Sequence, residues 1–299
     1  MKSKKVLIIL AIACLVAGVF WWFNADKADQ HGKAAYAHTV AILACGPRPP
    51  ESEGYRKAQQ YIAAELAKHG WSTMSQSHTR DTPVGEKTFV NLIARYQPGE
   101  LNNLEDLKKL PTKGILGAHL DSKIIPGIPD FLGADDAASA CALIIELAAN
   151  LAKKNPDLAK QLEIVFFDGE EAFGENIIVP GYTSPADAEE DGLFGSRAYA
   201  VTLYGRKPKP SFGIILDMVG HKNLKIAIPG DTPPELESSM MKAAEKHGHS
   251  DRFGKVQPTQ NNPQGIILDD HLYLNKAGVP TIDIIGADFS HSYWWHQEG

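Results

Sequence analysis

The chain contains 299 residues, with 30 Lys or Arg and 36 Asp or Glu, so its formal net charge is −6. Its 43% hydrophobic and 22% charged residues are ordinary for a globular protein, which excludes a disordered chain, a collagen-like repeat and a disulfide-dense miniprotein. The acidic balance argues against a nucleic-acid-binding protein, because such a protein needs basic residues to neutralise phosphates. The length allows one large α/β domain or two small ones.

The N-terminal segment differs from the rest of the chain. Lys2, Lys4 and Lys5 precede an uncharged run from Val6 to Phe23, which is just long enough to cross a bilayer as a helix. The lysines indicate that this end is cytoplasmic, so residues 1–23 are predicted to be a signal anchor that leaves the rest of the chain outside the cytoplasm. A cleavable signal peptide, which would give a secreted or periplasmic protein, is the alternative.

After this segment, helical and strand patterns alternate along the chain. Residues 24–40 are interpreted as a polar tether and residues 41–299 as a single catalytic domain, because no linker rich in Pro, Gly or Ser interrupts them. The spacing of apolar residues predicts helices over 52–69, 137–154 and 233–247. Short apolar runs or alternating patterns predict strands at 90–96, 115–118, 164–167, 213–216 and 282–285. This alternation indicates an α/β fold.

Two cysteines, Cys45 and Cys141, remain in the part predicted to be exported. One disulfide is possible, but the sequence does not establish it. We favour the interpretation that both are buried thiols.

Acidic residues and a histidine follow three of the predicted strands. His119 and Asp121 come after one apolar run, Glu170 and Glu171 after a second, and Asp217 closes a third. Ligands of open α/β sheets bind beyond the carboxyl ends of the strands, so these side chains are expected to converge. Such a convergence predicts a metal site, and catalytic zinc takes about three N or O ligands with one open position. The adjacent glutamates suit a division of labour, in which one binds the metal and the other moves protons.

Each of these motifs also has an ordinary structural explanation. A Glu-Glu pair is usually a solvated surface, and Asp135-Asp136 before a helix suits an N-cap. A single histidine such as His119 is more often an interior residue with satisfied hydrogen bonds. A function is therefore indicated only by four segments together, which are residues 117–123, 133–139, 166–173 and 294–296.

In this order, the motifs resemble those of the zinc-dependent glutaminyl cyclases, which share the fold of the bacterial leucyl-type zinc aminopeptidases. The resemblance extends from Gly46 to the end of the chain. It is carried by the segments 46–49, 52–56, 119–123, 133–136, 166–173, 193–197, 269–271, 278–280 and 295–296. The resemblance implies a three-layer α/β/α sandwich around a mixed, mostly parallel sheet. It also implies conversion of the N-terminal Gln of peptides or proteins to pyroglutamate with release of ammonia.

The resemblance implies a role for each matching residue. Asp136, Glu171 and His296 would bind one zinc ion, and Glu170 would be the proton shuttle. Two further acids, Asp217 and Asp270, would form a supporting hydrogen-bond network, and Trp295 would line the substrate pocket.

The chain departs from the family pattern in three places. The cyclases of animals pair a cysteine before the His119 motif with one matching Cys141, but this chain has Ala118 there. A pocket tryptophan expected after the Glu-Glu motif is missing from residues 174–194, where Tyr182 and Phe194 are candidate replacements. The chain also ends three residues after His296, so the family's C-terminal helix is expected to be missing.

The nearest alternative is a zinc aminopeptidase of the same fold. It would use two metals, with His119 and Asp217 completing the second site and Asp136 bridging. The sequence Asp269-Asp270-His271, where aminopeptidases have Ser-Asp-His, favours the cyclase. A catalytically silent, membrane-anchored binding protein is a third possibility, but it has no chemical need for Glu170 and the proposed ligands.

Overall fold

The computed structural model describes residues 25–182, 184–260, 262–287 and 295–296. In this part of the chain, eight strands form one sheet in the order β1-β2-β4-β3-β5-β8-β6-β7. The strands are β1 (Trp71–Thr82), β2 (Gly85–Tyr96), β3 (Gly114–His119), β4 (Leu162–Phe167), β5 (Phe212–Asp217), β6 (Ile226–Ile228), β7 (Phe253–Lys255) and β8 (Thr281–Gly286). Strands β4, β3, β5 and β8 are parallel to one another, as are β6 and β7. The remaining pairs, β1 with β2, β2 with β4, and β6 with β8, are antiparallel.

Helices cover both faces of this sheet. They are α1 (Ala25–Leu43), α2 (Glu53–Ala67), α3 (Leu104–Lys109), α4 (Ala140–Lys154), α5 (Pro156–Ala159), α6 (Phe194–Val201), α7 (Pro234–Lys246) and α8 (His271–Lys276). A π-helical turn (Ala134–Ser139) precedes α4, and a 3₁₀ turn (Ser250–Arg252) precedes β7. The predicted sandwich of α/β/α layers with a mixed, mostly parallel sheet is confirmed.

The two faces of the sheet bury different sets of residues, because successive side chains of a strand point to opposite sides. In β4, Ile164 and Phe166 pack into the larger core, formed with α1, α2, α4, α5 and α7. Their neighbours Val165 and Phe167 pack into the smaller core, formed with α3, α6 and α8. All of these strand residues are fully buried. Continuous apolar runs of this kind are therefore explained by burial on both faces.

The sheet brings three chemically important strand ends together. Strands β4, β3 and β5 are neighbours and run in the same direction, so their carboxyl ends lie at one edge. His119 ends β3, Asp217 ends β5, and Glu170 follows shortly after β4. The expected convergence beyond the strand ends is therefore present.

The N-terminal region differs from the expected tether. Residues 25–43 form helix α1, in which Ile42 is completely buried in the larger core. His31 Nδ1 lies 2.6 Å from Glu146 Oε1 of α4, and His38 Nδ1 lies 2.7 Å from Tyr61 Oη of α2. The polar residues that suggested a tether make these contacts, so the segment packs on the domain.

The predicted signal anchor, residues 1–23, lies outside the described residues. Within the described part of the chain, no helix has the length and apolar character needed to cross a membrane.

Both cysteines in the described residues are free thiols, as favoured above. Cys141 is buried and its Sγ donates to the carbonyl of His119 at 2.9 Å. Cys45 is only partly buried, which differs from the expectation. Burial raises the pKa of the Cys141 thiol to about 12, so this group stays protonated.

Candidate metal centre and active site

The loops after β3 and β4 are joined by Asp121. Its two carboxylate oxygens accept the backbone N–H groups of Glu170 at 3.2 Å and of Glu171 at 3.1 Å. Asp121 is completely buried, so these hydrogen bonds are shielded from water. They hold the Glu-Glu motif in place and orient the two glutamate side chains.

Asp136 is presented by the π-helical turn before α4. Its Oδ1 lies 3.0 Å from His119 Nε2, while Oδ2 lies 3.4 Å from His296 Nε2 and accepts a 3.2 Å hydrogen bond from Trp295 Nε1. Burial would raise the pKa of this carboxyl, but His119 and His296 lower it. Asp136 therefore stays ionised between two imidazoles.

The preceding residue, Asp135, has a different environment. Its Oδ1 accepts hydrogen bonds from Ser139 Oγ at 2.9 Å and from the backbone N–H of Gly220 at 2.6 Å. Asp135 thus joins the start of α4 to the loop after β5. Neither residue of the Asp-Asp pair is the N-cap that the sequence suggested, because the cap positions are Gly133 for the π-helical turn and Ser139 for α4. Asp135 instead links two segments, and Asp136 belongs to the acidic cluster.

Asp136, Glu171 and His296 form a cluster that could hold a metal ion. One ligand atom from each lies within 4.8 Å of the others. Glu171 Oε1 and His296 Nε2 are 3.5 Å apart, and both atoms are buried without a hydrogen bond of ordinary geometry. Buried polar atoms of this kind need a partner, and two carboxylates with one imidazole are the donors that catalytic zinc accepts. These residues therefore fit the expected zinc ion.

Glu170 and Glu171 have different partners. Glu170 Oε2 lies 3.9 Å from His119 Nε2, whereas Glu171 is turned toward His296 and Lys123. Burial raises the pKa of Glu170 well above its ordinary value, and the charge of Glu171 adds to this effect. A carboxyl whose pKa is raised in this way holds a proton more readily than an ordinary glutamate, as a proton shuttle requires.

Asp217 and Asp270 are both buried, but only Asp217 reaches the cavity. Asp217 Oδ1 lies 3.3 Å from His119 Nε2. Asp270, at the start of α8, is completely buried, and burial followed by the charge of Asp269 raises its pKa well above the ordinary value. For Asp217, burial and the charge of Asp136 have the same effect. Both carboxyls therefore tend to hold a proton.

His119 stands at the centre of this acidic cluster. Its Nε2 lies close to Asp136, Asp217 and Glu170, and its Nδ1 lies 3.4 Å from Asp121 Oδ1. Burial alone would lower the pKa of His119, but the surrounding carboxylates, led by Glu170, raise it well above its ordinary value. The imidazolium would offset part of the negative charge of the cluster.

A cavity of about 870 Å³ opens onto the cluster. It is lined by the predicted site residues Asp136, Glu170, Glu171, Asp217, Trp295 and His296. It extends past Ile177 toward the loops around β6 and β7. A pocket of this size holds a drug-sized or peptide-terminal ligand.

Neither candidate replacement for the missing pocket tryptophan lines this cavity in the described residues. Phe194 is buried and stacks on Phe89, with the ring centroids 4.6 Å apart. Tyr182 lies under Lys276, whose Nζ is 4.7 Å from the ring centroid. Ile177 is the apolar residue of this segment that reaches the cavity.

Lys123 was not among the predicted site residues. It is buried, its Nζ donates to the carbonyl of Ala172 at 2.8 Å, and it lies 3.6 Å from Glu171 Oε2. Lys123 offsets the charge of Glu171 and restrains its loop. The only signal in the sequence was its position two residues after Asp121, at the end of the strand-end motif.

The carboxylates and histidines lie together beyond the parallel strand ends of a mixed α/β sheet. This arrangement is typical of metal-dependent enzymes of the α/β class. The sequence profile of Peptidase family M28 matches residues 91–299. The chain belongs to this family.

The individual relatives extend this result. A glutaminyl-peptide cyclotransferase of Dictyostelium discoideum is 29% identical over 306 residues, which cover 92% of this chain and 78% of that protein. A glutaminyl-peptide cyclotransferase-like protein of Mus musculus is 28% identical, covering 83% of this chain. This chain spans 64% of the length of the mouse protein. The glutaminyl cyclase of Porphyromonas gingivalis superposes with a TM-score of 0.71 at 26% identity, covering 89% of this chain and 88% of that one. The resemblance to glutaminyl cyclases expected from the motifs is confirmed.

Proposed function

We propose that the protein is a zinc-dependent glutaminyl-peptide cyclotransferase, which converts the N-terminal Gln of peptides or proteins to pyroglutamate. The observation that carries the proposal is the arrangement of two adjacent glutamates with different partners at one cavity. Glu171 belongs to a cluster with Asp136 and His296, and Glu170 lies beside His119. The similarity to glutaminyl cyclases of three organisms supports it.

One zinc ion would be held by Asp136, Glu171 and His296. Bound there, it would act as a Lewis acid on the side-chain amide carbonyl of the substrate. Three protein ligands are the number that catalytic zinc sites take, which would leave one position for water or substrate. Lys123 contacts the carboxylate of Glu171, and Trp295 donates a hydrogen bond to that of Asp136. These contacts hold both carboxylates in place.

The reaction forms one C–N bond and breaks another within a single substrate. The α-amino nitrogen attacks the carbon of the side-chain amide, and the amide nitrogen leaves as ammonia. Glu170 accepts the proton from the attacking amine and returns it to the leaving nitrogen. The numbers of atoms and charges are conserved, because the proton lost by one nitrogen is gained by the other.

The other residues of the site serve to orient the substrate. Nucleophile and electrophile belong to one molecule, so the main task is to hold a near-attack geometry. Trp295 lines the cavity beside the ligand cluster and offers an apolar surface to the glutaminyl chain. Asp217 and Asp270 are buried carboxyls with raised pKa values, and they would share a proton in a hydrogen-bond network that supports the site.

A zinc aminopeptidase is the second candidate function. The observation in its favour is a further group of possible ligands, His119, Asp136 and Asp217, whose atoms also lie within 4.8 Å of one another. Because Asp136 belongs to both groups, a pair of bridged metal ions fits the same residues. Measuring both the number of zinc ions per chain and the reaction product therefore distinguishes the two candidate functions.

The experiment that tests the proposal is a mass measurement on peptides incubated with the full chain and zinc. A Gln-initiated peptide is expected to lose the mass of ammonia, and a Leu-initiated peptide of the same remaining sequence is expected to stay intact. Release of free glutamine or free leucine would instead identify an aminopeptidase.

The proposal includes a location outside the cytoplasm. The lysines at positions 2, 4 and 5 and the apolar run Val6–Phe23 suit a membrane anchor with the catalytic domain exported. A secreted or periplasmic protein is the outcome if this segment is cleaved. The substrates would then be peptides or proteins with N-terminal Gln in that compartment.

A further inference from the structure

Arg48 is a buried charged residue with an unusual set of partners. It lies in the turn between α1 and α2 and is 0% exposed. Its three side-chain hydrogen bonds all end on main-chain carbonyl oxygens. Nε donates to Leu120 at 2.8 Å, Nη1 to Leu132 at 2.7 Å and Nη2 to Gly133 at 3.1 Å. A buried arginine usually faces a carboxylate, so this arrangement needs another explanation.

The carbonyls that Arg48 binds belong to the two segments that carry the acidic cluster. Leu120 lies between His119 and Asp121, directly after β3. Leu132 and Gly133 immediately precede the turn that presents Asp136. The planar guanidinium therefore joins the end of β3 to the Asp136 turn by donors of fixed geometry.

The backbone of Arg48 strengthens the same connection. Its N–H donates to Ser122 Oγ at 2.9 Å, and its carbonyl accepts from the N–H of Ser122 at 3.3 Å. The whole residue is thus attached to the strand-end loop, and only its guanidinium reaches the Asp136 turn.

The turn that carries Asp136 depends on such support. Gly133 has φ +55°, and a Cβ on it would lie 2.2 Å from the carbonyl oxygen of Asp136. The turn folds tightly on itself, and Asp136 has φ −104° and ψ 90°, outside the helical region. The backbone here is irregular, and Arg48 donates one hydrogen bond to each of the carbonyls of Leu132 and Gly133. The Gly133 carbonyl also accepts the N–H of Ala138 at 3.2 Å, so it joins Arg48 to the turn itself.

We infer that Arg48 is a positioning residue that sets the place of the metal ligand Asp136 by holding the carbonyls of residues 132 and 133. The inference rests on the zinc centre of the proposed function. It does not depend on which reaction that centre performs.

The test is the zinc affinity of Arg48 variants of the full chain, measured by competition with a fluorescent chelator. Arg48→Lys keeps a buried charge, but its ammonium group lacks the planar set of N–H donors that binds the carbonyls of Leu132 and Gly133 together. Arg48→Gln removes the charge. Both are expected to bind zinc about 10–100-fold more weakly than the unaltered chain, which is the usual effect of losing a residue that orients a metal ligand.

Arg95→Lys is the matched control. Arg95 is 2% exposed and also donates to two carbonyls, those of Pro111 at 2.7 Å and Lys160 at 3.1 Å. It contacts Glu163 at the start of β4, the opposite end of that strand from the Glu-Glu motif. The control is expected to lower the unfolding temperature and leave the zinc affinity unchanged.

Three outcomes would overturn the inference. Zinc affinity unchanged in folded Arg48→Lys, or reduced equally in Arg95→Lys, would mean that Arg48 does not act on the metal site. Failure of both Arg48 variants to fold in excess zinc, while Arg95→Lys folds, would make Arg48 a general core residue. A wrongly placed zinc centre would give a different result, because Asp136→Asn would then bind zinc as tightly as the unaltered chain. A wrongly assigned reaction would show in the products formed from the peptides and would leave the zinc affinities of the Arg48 variants as expected.

Discussion

Glu170 and Glu171 are adjacent in the chain but have separate environments. Both backbone N–H groups bind Asp121, and from this common support the side chains diverge toward His119 and His296. The proposed mechanism requires this divergence, because a zinc ligand and a proton shuttle cannot be the same group.

Substituting each glutamate separately tests the division. Glu171→Gln is expected to lose zinc, since a neutral amide is a much weaker donor to zinc than a carboxylate. Glu170→Gln is expected to keep zinc and a near-normal KM but to lose about 10²–10⁴-fold in kcat, the usual contribution of general acid–base catalysis. Metal analysis and a turnover assay on both variants provide the measurement.

Glu175 supplies the control for this pair. It follows on the same loop and lines the same cavity, but it is exposed. Glu175→Gln is expected to change neither zinc content nor kcat appreciably. Zinc loss in Glu170→Gln with retention in Glu171→Gln would show that the two roles are reversed.

Much of the candidate site could be predicted at the level of residues. The positions of His119, Glu170, Glu171 and Asp217 at strand ends followed from the apolar runs before them. The resemblance added the distant His296. Arg48 could not be found in this way, because its partners are main-chain carbonyls of distant segments and leave no pattern in the sequence. The roles of Asp135 and Asp136 were not separated for a similar reason, because Asp135 accepts the main-chain N–H of Gly220, which is distant in the sequence.

Helix α1 is the element that differs most from the sequence-based expectation. Small and polar residues dominate it, and its buried positions Ala35 and Ile42 are too few to make a strong helical stripe. Its stability comes from contacts with α2 and α4, which only the folded chain provides.

A pair of substitutions tests whether α1 is part of the domain. Ile42→Ala is expected to lower the free energy of unfolding by about 2–5 kcal/mol, because it leaves a cavity in the larger core. Tyr36→Ala on the same helix removes a side chain that is 72% exposed. This substitution is expected to change the free energy of unfolding by less than about 0.5 kcal/mol. Chemical denaturation of the full chain measures both, and equal, small effects would show that α1 does not pack.

The remaining elements were predictable to the extent that they are buried. Strands β3, β4, β5 and β8 are continuous apolar runs and were identified. Strand β1 was not, because it lies at the edge of the sheet and alternates weakly, with polar residues in most positions. Strands β6 and β7 have three residues each, which is too short for a periodic pattern.

For the whole molecule, the location of the chain is an open prediction. The apolar run Val6–Phe23 is expected to hold the protein in the membrane with the catalytic domain outside the cytoplasm. The protein should then resist extraction by salt and be released by detergent. A soluble form that begins shortly after Phe23 would indicate a cleaved signal peptide, and recovery from the cytosol with an intact N-terminus would contradict both.

The most direct test of the account is a zinc titration of the metal-free full chain, with pyroglutamate and free amino acid measured at each step. We expect pyroglutamate formation from a Gln-initiated peptide to rise linearly and to saturate at one zinc per chain, without release of free amino acid. Activity that continues to rise up to two zinc ions per chain, with release of the N-terminal residue, would contradict the account. It would instead assign the second group of ligands, His119, Asp136 and Asp217, to an aminopeptidase centre.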